Sequence, residues 1–273
     1  MADDQHDHTG GRFTAVVLAG TRPGGDPFAR AMGVPYKALI PVGGEPMLLR
    51  VLRALRAATH IGDIVVCGLP PDAPNESPAL RELHARGDFT LLAGADTPSR
   101  SVLSAVDAPG ARFPFLITTA DHPLLSEDIV STFCTASLRA GCDLTLGLTE
   151  AAPVGRKFPG VRRTTHRFRE GAYCGCNLFA LLTPAARRGP EEWVRVEQYR
   201  KQPWRMIMAL GPLTLLRFLS GTLALSDLLA LASRRFGASA QAVLLPQPEA
   251  GFDVDSPPQL QAVEAYLRKS REG

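Results

Sequence analysis

Short apolar runs alternate with segments of helical spacing over the first 150 residues, and this alternation constrains the fold more than any other feature. The run at 13–19 (FTAVVLA) is apolar, contains β-branched residues and stops at Gly20, which is typical of a strand buried on both faces. Further predicted strands lie at 64–67, 89–92, 113–118 and 144–148, and predicted helices lie at 47–58, 79–86, 99–106 and 127–140. This order predicts a three-layer, Rossmann-like α/β fold, in which helices cover both faces of a mainly parallel mixed sheet.

Composition excludes several other classes of protein. Hydrophobic residues make up 45% of the 273 residues and charged residues 21%, so the chain is not generally disordered. A formal net charge of +3 is too small to require a nucleic-acid partner, and we expect none. The five cysteines have irregular spacing and do not form a disulfide framework. We therefore expect reduced thiols in a cytoplasmic protein.

Two segments bear on domain organisation and on membranes. Residues 1–11 are polar and acidic without an apolar stretch, so we expect a flexible tail and no signal peptide. The most apolar region, 206–232, is interrupted by polar residues and by a Gly-Pro pair, and it contains no run of the roughly 18 apolar residues that suggest a membrane span. We expect buried helices there rather than a membrane-surface contact. They would belong to a helical insertion at about 185–237 within one domain at 12–273.

Residues that can carry chemistry directly follow the predicted strands. Residues 20–22 (GTR) follow the first strand, Asp121 follows another, and Asp253 and Asp255 come after a late strand at 242–245. Ligands bind at the carboxyl ends of the strands in sheets of this kind. The sequence therefore predicts that these residues converge at one edge of the sheet.

The loop after the first strand is rich in glycine and carries basic residues. It contains Gly24 and Gly25 and leads to Lys37, one of only four lysines in the chain. Glycines let backbone N–H groups approach a phosphate chain, while an arginine and a lysine neutralise its charge. The alternative is a surface loop that binds nothing.

These residues resemble the opening motif of the molybdenum-cofactor guanylyltransferase-like nucleotidylyltransferases, which share the nucleotide-diphospho-sugar transferase type of fold with the sugar-phosphate pyrophosphorylases. The residues that match this motif in order are Leu18, Ala19, Gly20, Arg22, Lys37, Leu39, Gly44, Pro46 and Met47. The resemblance implies that the loop binds the triphosphate of an NTP, with Arg22 on the phosphates and Lys37 stabilising charge as pyrophosphate leaves. Thr21 stands where the family has a second glycine. The longer stretch before Lys37 leaves Arg30 as an alternative to Arg22.

Three acids are candidate magnesium ligands. A lone carboxylate at the end of a buried strand, such as Asp121, must find a cation, and Mg²⁺ held jointly with NTP phosphates would satisfy it. Residues 251–260 resemble the closing Asp-x-Asp-Thr-Pro-x-x-Leu of the family, which implies that Asp255 completes the metal site. Asp253 is then a second ligand or supports the first. Alternatively, Asp121 is the N-cap of a helix, and Asp255 or Ser256 is the cap of the last helix. One residue can be both a cap and a metal ligand.

Two weaker signals concern the base and the acceptor. Ser101 lies where related cytidylyltransferases carry a Ser-Val that contacts the base. The full nucleotide-binding set that the resemblance implies is Leu18, Ala19, Gly20, Thr21, Arg22, Gly24, Gly25, Lys37 and Ser101. A basic cluster at 156–169 precedes a predicted strand at 176–179, and it is either a solvated face or the site of an anionic acceptor. The candidate acceptor-binding residues are Lys157, Arg162, Arg163 and Asn177.

The resemblance and the residues together favour a magnesium-dependent nucleotidyltransferase. We expect it to move an NMP from CTP or GTP onto a phosphorylated small-molecule acceptor and to release pyrophosphate, through positioning and charge neutralisation. One alternative is a glycosyltransferase of GT-A fold that uses an NDP-sugar, because 253–255 (DVD) is formally a DxD motif. Its position near the C-terminus disfavours this alternative. The other is a regulatory domain that binds a nucleotide without turnover.

Overall fold

One large sheet organises the part of the chain that the computed structural model describes, namely residues 11–21, 24–196, 208 and 211–272. The strands are β1 Phe13–Leu18, β2 Pro41–Val42, β3 Glu45–Pro46, β4 Ile61–Cys67, β5 Thr90–Leu92, β6 Phe115–Thr119, β7 Leu144–Glu150, β8 His166–Phe168, β9 Gly171–Leu181 and β10 Ala240–Leu244. The helices are α1 Pro27–Ala31, α2 Met47–Ala57, α3 Pro78–Ala85, α4 Pro98–Val106, α5 Glu127–Arg139, α6 Ala151–Lys157, α7 Arg188–Val196, α8 Pro212–Leu219, α9 Leu225–Phe236 and α10 Pro257–Glu272. Short 3₁₀ helices lie at Lys37–Leu39, Ala73–Glu76, Pro184–Arg187 and Pro248–Gly251.

The sheet is mixed but mainly parallel. Its strand order is β10-β7-β9-β6-β1-β4-β5, with β8 pairing β9, while β2 and β3 form a separate hairpin. Only the pairings of β9 are antiparallel within the large sheet as described, with β6, β7 and β8. The predicted fold class is confirmed. The sequence predicted only 176–179 of β9 as strand, because Gly171 and Gly175 interrupt its apolar pattern.

The first strand lies in the middle of this sheet and is buried on both faces. Ala15 and Val17 pack with Leu52 of α2 on one face, whereas Val16 packs with Val102 of α4 on the other. The three β1 residues have no exposed surface, and burying a valine side chain such as Val16 or Val17 contributes about 1.5–3 kcal/mol. This two-sided burial explains why the run at 13–19 is continuously apolar.

Side-chain caps begin two of the helices near the candidate site. Ser126 caps α5, since its hydroxyl accepts the N–H of Ile129 at 3.3 Å. Asp26 caps α1 by accepting the N–H groups of Phe28 and Ala29 at 2.8 and 3.0 Å. Such caps satisfy donors that a helix start leaves without partners.

The apolar region at 206–232 is less buried than predicted. Helix α8 buries Thr214 and packs Phe218 against the sheet, but three of its leucines are more than 60% exposed: Leu213, Leu216 and Leu219. The prediction of buried helices is therefore wrong for this face of α8, because the three leucines recur on the side opposite the sheet. No helix in the described ranges is long and apolar enough to cross a membrane.

The domain boundaries stay a prediction. Helices α7, α8 and α9 lie within the range of the predicted insertion. Residues 1–10 of the predicted tail at 1–11 lie outside the described residues.

Candidate active site

Two parallel neighbours, β1 and β6, bring the first two motifs together. Leu18 pairs with Thr119 at their carboxyl ends, and the N–H of Ala120 donates to the carbonyl of Leu18 at 2.9 Å. Gly20 and Asp121 therefore leave adjacent strands at the same edge of the sheet. This is the edge where ligands bind in open α/β sheets.

Lys37 links the two acids that the sequence singles out. It begins the 3₁₀ helix Lys37–Leu39, whose other two residues are buried and anchor it against the core. Its Nζ donates to Asp121 Oδ2 at 2.5 Å and also to Asp255 Oδ1. The three residues come from distant parts of the chain, and the convergence predicted for Asp121 and Asp255 is confirmed by their shared contact with Lys37.

Burial and charge act on Lys37 in opposite directions. Burial alone would lower the pKa of its ammonium, but the charges and hydrogen bonds of Asp121 and Asp255 outweigh burial and raise the pKa above its ordinary value. The side chain is 19% exposed and therefore incompletely screened by water. Lys37 is consequently a fixed positive charge at neutral pH, which suits contact with an anion.

Asp121 has an oxygen without a hydrogen-bond partner. Its Oδ1 is buried and finds none among the described residues, and the hydroxyls of Thr21 and Thr119 are in the same situation. A buried acceptor without a partner is costly, and a bound cation would remove that cost. Carboxylate oxygens are the ligands that Mg²⁺ prefers, so Asp121 and Asp255 fit this ion. No group of three or more potential ligands from His, Cys, Asp and Glu occurs in the described ranges, but Mg²⁺ commonly takes one or two carboxylates plus phosphates and water.

Asp255 also stands at the start of the last helix. Its N–H donates to the side-chain oxygen of Gln259 at 2.7 Å, and the hydroxyl of Ser256 donates to the same oxygen at 3.0 Å. Gln259 thus reaches back to the residues before the helix, as in one half of a capping box, and capping of the helix by Asp255 or Ser256 stays a prediction. This contact uses the backbone of Asp255 and leaves its carboxylate directed at Lys37.

Asp253 contacts a different set of residues. Its Oδ1 accepts from Arg163, and its Oδ2 accepts from the amide of Asn177 at 2.8 Å. Two predicted acceptor-binding residues, Arg163 and Asn177, therefore contact Asp253, whereas Lys37 contacts Asp121 and Asp255. The roles of Asp253, Arg163 and Asn177 in binding a metal or an acceptor stay predictions.

The other two predicted acceptor-binding residues, Lys157 and Arg162, have different surroundings. Lys157 pairs with Glu249 and has its Nζ 5.1 Å from the centroid of the Tyr266 ring. Arg162 is exposed.

The loop at 18–25 is only partly described. Gly24 and Gly25 have positive φ angles of 88° and 81°, and no atom lies within 4 Å of the point where a Cβ would stand on either residue, so their backbone is open to solvent. Arg22 lies outside the described residues, whereas the alternative Arg30 is exposed in the last turn of α1.

A row of glycines extends this edge of the sheet, and only its first member, Gly20, was predicted from the sequence to belong to the site. Gly20, Gly68 and Gly94 follow β1, β4 and β5. A Cβ on Gly68 would lie 2.5 Å from the Cα of Gly20, and one on Gly94 would lie 2.8 Å from the Cα of Gly68. Side chains are therefore excluded where the three backbones meet. The signal was available, because each glycine comes within two residues of a strand end.

Ser101 of α4 supports the loop after β5. It is buried, and its hydroxyl accepts the N–H of Ala95 at 3.0 Å. The contact places Ser101 beside the glycine row, and a contact with a nucleotide base stays a prediction.

Known proteins resemble this chain in sequence and in structure. The family model of the MobA-like NTP transferase domain matches residues 15–170. A 2-C-methyl-D-erythritol 4-phosphate cytidylyltransferase from Streptomyces avermitilis is 33% identical over 135 residues, which are 48% of this chain and 52% of that protein. The chain thus matches about half the length of that relative.

Solved structures extend the resemblance over nearly the whole chain. A hypothetical transferase from Thermus thermophilus is 30% identical, with a TM-score of 0.76 over 91% of this chain and 99% of the other. A CMP:2-keto-3-deoxy-manno-octonic acid synthetase complexed with CTP has a TM-score of 0.59 at 12% identity, over 95% and 99% of the two chains, and so shares the fold. The family match covers more than half of the chain and includes Lys37 and Asp121. The chain therefore belongs to the MobA-like NTP transferase family, as its motifs predict.

Proposed function

We propose that this protein is a magnesium-dependent nucleotidylyltransferase that moves a cytidylyl group from CTP to the phosphate of a small-molecule acceptor. The observation that carries the proposal is the contact of Lys37 with both Asp121 and Asp255, at the sheet edge beside the glycine loop. A lysine in this position can contact the phosphates of a nucleotide, and the two carboxylates can bind the metal ion that accompanies them.

The reaction is a substitution at the α-phosphorus of the nucleotide. An oxygen of the acceptor phosphate forms a bond to the α-phosphorus, and the bond from that phosphorus to the bridging oxygen of the β-phosphate breaks. Pyrophosphate leaves with the electron pair of the broken bond. Negative charge grows on the leaving oxygens, and a positioned cation stabilises it. Lys37 is the residue of this chain that we assign to that role.

Asp121 and Asp255 are the residues that would hold magnesium. Once bound, the ion would neutralise part of the charge of the triphosphate. The chain's own contribution is to hold the two carboxylates and Lys37 together at one edge of the sheet. The nucleotide loop at 18–25 would then supply backbone N–H groups to the phosphates.

The names of the relatives favour CTP over GTP. Two Streptomyces relatives are 2-C-methyl-D-erythritol 4-phosphate cytidylyltransferases, and Ser101 lies beside the glycine row, where it supports the loop after β5. From these names we also infer that the acceptor is a polyol phosphate or a sugar phosphate. Phosphate monoesters also suit the arginine-rich segment at 156–169.

The test is pyrophosphate release from four NTPs, each combined with a panel of phosphate monoesters that includes 2-C-methyl-D-erythritol 4-phosphate. We expect release with CTP and one class of acceptor, and loss of release in Asp121→Asn and after chelation of magnesium. Arg187→Ala is the matched control. Arg187 pairs with Asp107 and comes shortly after Leu181, which pairs with the first residue of β6 at the opposite edge of the sheet. Sugar transfer from an NDP-sugar without pyrophosphate release would overturn the proposal, and so would magnesium-dependent NTP binding without any product.

A further inference from the structure

One arginine holds three consecutive residues just before Asp255. The guanidinium of Arg163 donates to the carbonyl of Gly251 at 2.7 Å and to the carbonyl of Asp253 at 3.1 Å. Its carbon lies 4.9 Å from the centroid of the Phe252 ring between them. An arginine presents several donors in a rigid plane, so this one side chain fixes the path of the backbone over 251–253.

Both oxygens of the Asp253 carboxylate accept hydrogen bonds within the protein. One oxygen accepts from Arg163 and the other from Asn177. The side chains of Arg163 and Asp253 are 12% and 19% exposed, so water screens their pairing poorly. Removing one partner from such a pair leaves a charge without compensation, which makes the cluster resist displacement.

An unusual backbone conformation directs Asn177 at this cluster. Its φ angle is +49°, which asparagine tolerates better than most residues other than glycine. The residue lies in a bulge of β9, where the pairing with β7 shifts between Leu146 and Leu148. Bulges re-aim side chains near functional sites, and here the amide reaches Asp253, 76 residues away.

Backbone hydrogen bonds of the next two residues, Val254 and Asp255, continue this fixed conformation as far as Asp255. The N–H of Val254 donates to the carbonyl of Asp121 at 2.9 Å, and the N–H of Asp255 donates to Gln259 at 2.7 Å. Gly251 permits the close packing, since a Cβ there would lie 2.6 Å from a methyl group of Thr149. Every residue of 251–255 therefore has a fixed contact.

We propose that Arg163 and Asn177 are positioning residues that hold Asp253. Through the short backbone from Asp253 to Asp255, they keep the Asp255 carboxylate beside Asp121. The inference rests on the proposed function, because it assigns Asp255 to the metal. In this arrangement Asp253 holds the segment in place, and Arg163 and Asn177 bind Asp253 instead of the acceptor.

Two variants separate this role from general stability. Asn177→Gly removes the amide while keeping a residue that accepts a positive φ angle. Arg163→Lys keeps the charge but loses the planar donors that reach two carbonyls at once. Arg187→Ala is again the control, since it removes an arginine that pairs with an aspartate far from the site. Thermal unfolding identifies any variant that fails to fold, in which case the other variant decides.

The first measurement is amide hydrogen exchange of peptides that cover 250–256, without nucleotide. We expect faster exchange there in Asn177→Gly and Arg163→Lys and no change in Arg187→Ala. The second is calorimetric titration with CTP, and in parallel with GTP, in magnesium chloride and in EDTA. We expect the affinity gained from magnesium to fall by about 10-fold or more in both variants, as for other residues that orient metal ligands, while the affinity in EDTA is unchanged.

The outcomes that would overturn the inference differ from those that would overturn the proposed function. Unchanged exchange at 250–256 in both variants would show that the contacts do not order the segment. Faster exchange with an undiminished effect of magnesium, or an equal loss of affinity in both buffers, would exclude a positioning role toward the metal ligand. A wild-type protein that binds neither nucleotide in either buffer would instead refute the proposed function, and hydrogen exchange would still decide whether the cluster orders 251–255.

Discussion

The backbone N–H of Val254 donates to the carbonyl oxygen of Asp121 at 2.9 Å. This bond joins the end of β6 directly to the segment that carries Asp255. The distance between the two candidate metal ligands is therefore set by main-chain contacts as well as by their shared lysine. A site that is held by backbone bonds keeps its geometry when Lys37 moves to a phosphate, which is what pre-organisation requires.

Replacing Lys37 tests the charge that we assign to the leaving pyrophosphate. We expect Lys37→Ala to lower kcat/KM for pyrophosphate release by about 10²–10³-fold, the loss that is typical when one donor to a developing charge is removed. Lys269→Ala is the matched control, because Lys269 is exposed on α10. An unchanged rate in Lys37→Ala would exclude this role.

The acid dependence of stability tests the cluster around Glu249. Burial alone would raise the pKa of Glu249, but Lys157 and a hydrogen bond from Tyr266 lower it below its ordinary value of 4.5. A lowered pKa in the folded state means that stability is gained above pH 4.5 and is lost as pH falls through the folded value. We expect Glu249→Gln to reduce the free energy of unfolding by about 1 kcal/mol at pH 7, with the difference shrinking below pH 4.5. Urea unfolding at several pH values measures it, and a difference that grows toward low pH would contradict the assignment.

The glycine row allows a matched test of close backbone approach. Gly68 and Gly87 both have positive φ angles, but only Gly68 has backbone atoms under 3 Å from its would-be Cβ, whereas Gly87 has nothing within 4 Å. We expect Gly87→Ala to cost about 1–2 kcal/mol from backbone strain alone. Gly68→Ala should cost about 2 kcal/mol more, because the methyl group must displace Gly20. Urea unfolding compares the two, and equal losses would show that the close approach is not structurally important.

The exposure of the α8 leucines, which the sequence did not predict, can be tested by mutation. Leu216 is 63% exposed, whereas Leu116 of β6 has no exposed surface. We expect Leu216→Ala to change the free energy of unfolding by less than about 1 kcal/mol and Leu116→Ala to lower it by about 2–5 kcal/mol. Similar losses in the two variants would mean that the α8 face is packed in solution.

Much of the sheet could be predicted because its signals are local. The continuous apolar run of β1 reports burial on both faces, and the position of Asp121 directly after a strand reports the edge where ligands bind. Strand β9 was only partly predicted, since two glycines and a bulge at Asn177 break its pattern. The exposure of the α8 leucines could not be predicted, because hydrophobicity alone does not reveal which side of a helix meets the sheet.

In the candidate site, too, some residues were predicted from the sequence and others were revealed only by the structure. Lys37, Asp121 and Asp255 were predicted from the sequence, because Asp121 directly follows a strand and because Lys37 and Asp255 match motifs of the family. The partners of Asp253 were decided only by the tertiary structure. Arg163 and Asn177 lie 90 and 76 residues from it in the chain, and nothing in the local sequence distinguishes an arginine that holds an aspartate from one that binds a ligand. Hydrogen bonds over such separations depend on how the sheet and loops pack, so only the folded chain determines which charges meet.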